Sequence, residues 1–277
     1  MSRSLSDAQV AEYAERGFLA PIRVMDEAEA GSFRRRLEGY EERAGAKLQS
    51  NLRHKVNLLF PWCDELVRLP RILDCVEDLI GPDIFCWNVH LFAKDPDGAS
   101  FVSWHQDAAY WGLEPGDVVT AWVALSEASL TSGCMEVIPG THAIDTLPHV
   151  DTFHKDNLLS RGQEVAVKVD ESKAVSLTLH PGEMSLHHIK LVHGSRPNRS
   201  TDRRIGVAIR YMPTYVRQVR FRDSAMLVRG RDAHGHFDPE PRPVADMDAA
   251  AVAAHQDAVD RVLSGLMAGT DKKAFRA

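Results

Sequence analysis

The segment Trp104-His105-Gln106-Asp107 sets a histidine and an aspartate two residues apart, and a second histidine, His193, lies far downstream. In an extended strand, residues two apart project from the same face, so His105 and Asp107 can reach one metal ion together. A second strand can bring His193 to the same ion. Two imidazoles and one carboxylate on one side of a metal form the facial triad of non-haem iron(II) oxygenases, which leaves coordination positions open for substrate chemistry. The competing reading of a lone His-x-Asp is a structural hydrogen-bond pair. Other histidine pairs compete as well. His234 and His236 fall in a loop rich in Gly, Asp and Pro, which suits a solvated surface. His187 and His188 are adjacent, so at most one of them can look into a pocket from a strand.

Arg204 follows His193 within Arg203-Arg204-Ile205-Gly206-Val207-Ala208-Ile209-Arg210-Tyr211. An arginine at the start of a strand, near a metal histidine, suits a bidentate grip on a carboxylate. Alone, Arg203, Arg204 and Arg210 would read as surface cations. Beside the triad they gain a second use, because an iron oxygenase needs an electron-donating co-substrate, commonly a 2-oxoacid with a distal carboxylate.

These residues need a rigid frame, and the pattern supplies one. The N-terminal stretch, 1–82, reads as helical. Ser6 with Gln9 can form a capping box, Phe33, Leu37 and Tyr40 line one helical face, as do Ile72, Val76 and Leu79, and Gly81-Pro82 is a stop. The character then changes to short β-rich runs at 84–94, 101–107, 118–125, 134–138, 164–169, 175–179, 184–192 and 204–212, separated by polar turns. Several such strands predict a sandwich, barrel or jelly roll. Helical spacing returns from Asp246 to Met267, with Val252, Val259, Val262 and Leu266 on one side. The expected organisation is one domain over 1–277: a helical N-terminal segment over 1–82, a β core over 84–212 and a C-terminal extension over 213–277.

Bulk properties narrow the function classes. The 277 residues are 44% hydrophobic and 26% charged, an ordinary globular composition. A net charge of −6 argues against a nucleic-acid partner, which selects a basic face. No apolar run is long enough to span a membrane. Met1-Ser2-Arg3-Ser4 leads straight into a polar helical pattern, so no signal peptide is expected. Cys63, Cys75, Cys86 and Cys134 are widely spaced and read as reduced core residues of a cytoplasmic protein.

At this point the chain resembles the phytanoyl-CoA dioxygenase family of iron(II)/2-oxoglutarate-dependent oxygenases, which includes ectoine hydroxylase and related bacterial enzymes. The resemblance rests on Trp104-His105-Gln106-Asp107 with Tyr110-Trp111, on Trp122-Val123-Ala124-Leu125, and on Gly133-Cys134-Met135-Glu136-Val137-Ile138-Pro139-Gly140-Thr141-His142. It closes with His187-His188, His193-Gly194-Ser195, Pro197-Asn198 and Arg203-Arg204. It implies a mainly β fold with flanking helices around a double-stranded β-helix, a cupin-like jelly roll. It implies iron(II) on His105, Asp107 and His193, with 2-oxoglutarate and dioxygen as co-substrates. Arg204 matches the arginine that binds the distal carboxylate, Ser195 an assisting hydroxyl, Trp122 a wall of that site, and Asn88 a polar co-substrate contact. If its strand is regular, Cys86, Asn88, His90 and Phe92 share an inward face. His142 is expected to be structural.

The resemblance also separates branches of the chemistry. Related halogenases replace the carboxylate ligand by a small residue, so Asp107 favours hydroxylation. Desaturation and demethylation use the same centre and stay open. Two other classes do too: a non-catalytic module that binds or senses a 2-oxoacid, and a cupin-like enzyme using another metal without 2-oxoglutarate. Candidate substrate contacts are His54, Lys55 and Asn57, with Tyr110, His187 and Arg210. Clustered basic and polar groups suit a small anionic or zwitterionic metabolite, such as a carboxylate or phosphonate. The expected partner is therefore a small-molecule substrate. The C-terminal stretch around Arg229-Gly230-Arg231-Asp232 either folds back over the core or makes a homodimer contact.

Overall fold

The computed structural model describes residues 4–267; Met1–Arg3, where no leader is expected, lie outside the described residues. The N-terminal helices start where their caps allow. Ser6 and Gln9 close the expected capping box, and the helix Asp7–Arg16 runs from it to the left-handed Gly17. The helix Glu27–Ala44 buries Ala30, Phe33 and Leu37 along one stripe. Pro61 and Pro70 each open a further helix, Pro61–Val67 and Pro70–Ile80, where the missing N–H leaves nothing unsatisfied.

The expected helical stretch is interrupted by a strand, Phe18–Arg23, which pairs antiparallel with Glu183–His188. Among the described residues, seven strands form the larger sheet. Their order is Phe18–Arg23, Glu183–His188, Val119–Ala124, Arg204–Pro213, Ile84–Lys94, Ser224–Arg229 and Asp238–Pro239. A four-stranded sheet runs Val102–His105, His193–Ser195, Met135–Val137, Val175–Leu177. This is the mainly β, cupin-like jelly-roll architecture with flanking helices, drawn from a wider span than 84–212, because Phe18–Arg23 and Ser224–Arg229 both join the larger sheet.

The larger sheet has two chemically different faces, set by the two-residue period of its strands. On one face Ala121, Val123, Leu186, Val207, Ile209 and Tyr211 join Phe33, Leu66, Ile72 and Val76 of the helices in a single buried apolar cluster. The Tyr211 hydroxyl donates to the Val67 carbonyl at 2.7 Å, tying strand to helix. The alternate residues Thr120, Trp122, His187, Arg204, Ala208 and Arg210 face a cavity instead.

The Ile84–Lys94 strand departs from regular alternation. Its register against Arg204–Pro213 shifts between Arg210, opposite Asn88, and Tyr211, opposite Cys86. The extra residue is Trp87, and a bulge of this kind reverses the facing of everything before it. Cys86 therefore joins the helix-covered cluster, while Trp87 takes the inner position beside Asn88, His90 and Phe92. The expected shared face of Cys86, Asn88, His90 and Phe92 holds only for the last three.

The C-terminal extension folds back over the core. The helix Ala249–Leu266, capped by Asp248, buries Val259, Val262, Leu263 and Leu266 against Phe85, Trp87 and Trp111. Val252, expected on the same side, is exposed. Arg229 anchors the returning strand by ion pairs of 2.7 Å to both Asp74 and Glu77. Cys63, Cys75, Cys86 and Cys134 are all buried and free of disulfides. Among the described residues, no helix is long and apolar enough to cross a membrane.

Candidate metal centre

His105 and His193 face each other because their strands pair in that register, His193 directly opposite His105. Their rings lie 4.1 Å apart between centroids. Asp107 arrives by a different route from the one the spacing suggests. The strand ends at His105, and Asp107 has helical backbone angles at the head of the short helix Ala108–Trp111. Gln106 holds the corner: its side chain donates to the Lys190 carbonyl and accepts from the Leu147 N–H, both at 2.7 Å. His105, Asp107 and His193 are all buried and each offers a ligand atom within 4.8 Å of the others.

The hydrogen bonds fix which ring nitrogen is free. His105 Nδ1 lies 2.9 Å from the Ser103 carbonyl, and His193 Nδ1 lies 2.9 Å from the Leu191 carbonyl. A carbonyl can only accept, so each Nδ1 carries a proton and each Nε2 is the nitrogen turned to the cluster, free to ligate when the ring is neutral. His105 Nε2 then stands 3.4 Å from Asp107 Oδ1. Two imidazole Nε2 atoms and a carboxylate converging on one point can hold a cation, and the donor set suits a first-row divalent metal.

Next to this cluster lies a carboxylate-sized receptor. Arg204 opens its strand opposite Lys94, is 2% exposed, and has no acidic partner among the described residues. Its guanidinium sits 5.1 Å over the Trp122 ring, donates only a 3.3 Å bond to the Gly133 carbonyl, and leaves Nε without a partner. Burial lowers its pKa to about 10, so it stays charged at neutral pH. Ser195 projects into the same cavity and accepts a 2.6 Å hydrogen bond from Lys94 Nζ. Sequence reasoning missed Lys94, and its burial is the reason: nothing in the local pattern separates it from a solvated lysine.

Gly206 lets the indole lie where it does, since a Cβ there would meet Trp122 ring carbons at 1.9 Å. Gly206→Ala is expected to displace Trp122, to lower stability by about 1–3 kcal/mol as overpacking does, and to weaken 2-oxoacid binding. Thermal denaturation and a 2-oxoglutarate titration check both effects together.

A second chamber adjoins the first and is lined by His54, Trp87, Asn88, His90, Trp111 and Arg210, among others. Asp107 and Arg210 line both chambers and mark their junction. Asn88 thus stands in the second chamber, apart from Arg204, Ser195 and Trp122, and its Oδ1 accepts from the Lys55 N–H at 3.3 Å. His187 lines the first chamber, its ring 4.9 Å from that of His193.

Three suggested substrate contacts are placed elsewhere. Lys55 is fully buried, with Nζ donating to the Trp87 and Ser224 carbonyls and paired with Glu240, so it is structural. Asn57 is buried against the Met226 sulfur, 3.9 Å away. Tyr110 packs on His149 and under Arg161, and its neighbour Trp111 takes the chamber wall. His142, as expected, is structural, with Nε2 bonded to the Ala14 carbonyl at 3.1 Å. His234 and His236 stack on each other in an exposed loop.

Burial keeps several imidazoles of this region neutral. It pushes His193 and His188 down to about 4, and holds His54, His90 and His187 well below the ordinary histidine range. In the unfolded chain these groups protonate near about 6.5. Below that value the unfolded state takes up protons that the folded state refuses, so stability rises with pH and is lost on acidification. The melting temperature of metal-free protein is therefore expected to fall steadily as pH drops from about 6.5 to about 4. A flat profile across that window would contradict the neutral assignment.

Comparison with known proteins places this geometry in company. A family model described as phytanoyl-CoA dioxygenase matches residues 13–206. A probable alpha-ketoglutarate-dependent hypophosphite dioxygenase from Stutzerimonas stutzeri is 34% identical over 157 residues, 56% of this chain and 54% of that protein. The chain thus spans about half the length of that relative. The L-proline trans-4-hydroxylase of Streptomyces griseoviridis is 28% identical over 235 residues, 76% of this chain and 87% of that one. Among solved structures, the apo form of the non-heme monooxygenase ThoJ superposes with a TM-score of 0.82 at 34% identity, covering 93% of this chain and 97% of that chain.

Proposed function

The chain belongs to the phytanoyl-CoA dioxygenase family, and on that premise we propose that it is an iron(II)- and 2-oxoglutarate-dependent oxygenase that hydroxylates a C–H bond of a small polar metabolite, anionic or zwitterionic. The observation that carries the reading is the convergence of two carbonyl-oriented imidazoles and one carboxylate on a single buried point. Relatives named as dioxygenase and hydroxylase support the reaction class.

In this reading His105, His193 and Asp107 hold the metal, and the Ser103 and Leu191 carbonyls fix the two imidazoles in tautomer and orientation. When bound, iron(II) and 2-oxoglutarate supply dioxygen activation coupled to oxidative decarboxylation, with succinate and carbon dioxide released. Arg204 and Ser195 take the distal carboxylate, and Trp122 under the guanidinium keeps water from it. The hydroxyl of Ser195 is held in place by Lys94.

Purified protein is expected to convert 2-oxoglutarate to succinate only when iron(II) and dioxygen are supplied. Anaerobic addition of 2-oxoglutarate to the iron(II) protein should raise a weak visible charge-transfer band. Iron-independent succinate release would sink the proposal. A visible band without turnover on any substrate would point to a sensing module instead.

A further inference from the structure

Two buried guanidiniums flank the metal cluster, and the co-substrate accounts for only one. Arg210 is 7% exposed, lies between the Phe92 and Trp111 rings at 5.8 and 5.2 Å, and gives a single hydrogen bond, from Nη1 to the Ala208 carbonyl at 3.2 Å. Its Nε has no partner, which leaves the Nε/Nη2 edge of the fork open. Among the described residues, no carboxylate pairs with it. Asp107 is the acidic group whose field reaches it, and Asp107 is turned to the metal cluster. A buried guanidinium whose hydrogen-bonding edge is left unpaired is costly and persists where a ligand completes it.

The walls around Arg210 describe the rest of that ligand. Trp87, Trp111, His54 and His90 line the second chamber with rings, Leu159 and Leu266 add aliphatic carbon, and Asn88, Ser160 and Gln163 add polar groups. His54 and His90 stack at 4.1 Å, and both are kept uncharged by burial, so neither competes with Arg210 for an anion. An open two-nitrogen edge matches the two oxygens of a carboxylate, and one cation balances its single charge, whereas a phosphate or phosphonate dianion would bury excess negative charge beside Asp107.

Resting on the oxygenase reading above, we infer that the second chamber is the substrate site, that Arg210 is its anion receptor, and that the substrate is a small carboxylate whose body packs against the rings of that chamber. This narrows the anionic group of the substrate to a carboxylate.

The test uses isothermal calorimetry on the full chain loaded with iron(II) and 2-oxoglutarate without oxygen. The probes are phenylacetate and its neutral isostere phenylacetamide. Wild-type protein is expected to bind phenylacetate at least about tenfold more tightly, the scale of a charge-assisted hydrogen bond. In Arg210→Met the ratio is expected to fall to about one, and in Arg210→Lys, which keeps the charge but loses the fork, to an intermediate value. Wild-type protein that does not separate the two probes overturns the inference, and so does a ratio unchanged in Arg210→Met. Loss of the charge-transfer band in Arg210→Met, with the ratio retained, would move Arg210 to the co-substrate and overturn it too. The two readings fail separately. A wild-type protein with no band in iron(II) and 2-oxoglutarate sinks the oxygenase reading, while the probe ratio on the same sample still judges Arg210.

Discussion

Asp107→Ala is expected to abolish substrate-coupled succinate release, a fall of more than about 100-fold, since even residues that only orient a ligand are worth 10–100-fold. The argument is geometric. Asp107 is the one carboxylate of the cluster, and without it two imidazoles face each other with no anion to balance a divalent metal. The fold should survive the change, because the near neighbour of the Asp107 side chain is His105 at 3.4 Å, a contact that belongs to the metal cluster and ties no two elements together. The check is therefore paired: iron(II) affinity and succinate release must collapse while the melting temperature of the metal-free protein holds. Retained turnover would remove Asp107 from the ligand set. Asp107→Asn is the finer probe. It keeps the shape and removes the charge, so a loss close to that of alanine would assign the effect to charge.

How legible this site is depends on the scale at which each residue is determined. His105 and Asp107 can be paired from their spacing, yet a shared strand face is not how the chain places them. Asp107 turns off the strand into a helical corner pinned by Gln106, and a spacing of two serves both geometries. The helices are readable from local chemistry at Ser6, Gln9 and the prolines, because a cap is completed within a few residues. The strand Phe18–Arg23 is not, because its partner Glu183–His188 lies at the other end of the core and only that pairing makes it a strand. The bulge at Trp87 is invisible for the same reason: it exists in the register against Arg210 and Tyr211, not in the composition of its own strand. Lys55 reads as a substrate contact only because its partner Glu240 is distant in sequence. Buried charge looks like surface charge until the fold supplies its neighbours.

Arg204→Met is expected to raise the KM for 2-oxoglutarate by roughly 30-fold or more, since truncating one partner of a buried, hydrogen-bonded charge pair costs about 2–5 kcal/mol. The sign of the accompanying stability change separates this arginine from a structural one. Among the described residues Arg204 has no acidic partner; it makes one long hydrogen bond to Gly133 and keeps an unsatisfied Nε. Methionine fills similar volume over the Trp122 ring and removes the uncompensated charge, so the co-substrate-free variant should melt no lower than wild type. A structural arginine would show the opposite, a stability loss with binding intact. The ligand-induced shift carries the decision: 2-oxoglutarate with manganese(II), a redox-quiet stand-in for iron(II), should raise the wild-type melting temperature by mass action and leave Arg204→Met close to its unliganded value. Equal shifts in the two proteins would mean that the distal carboxylate is held elsewhere, with Lys94 and Ser195 the next groups to test, since their 2.6 Å hydrogen bond faces the same cavity.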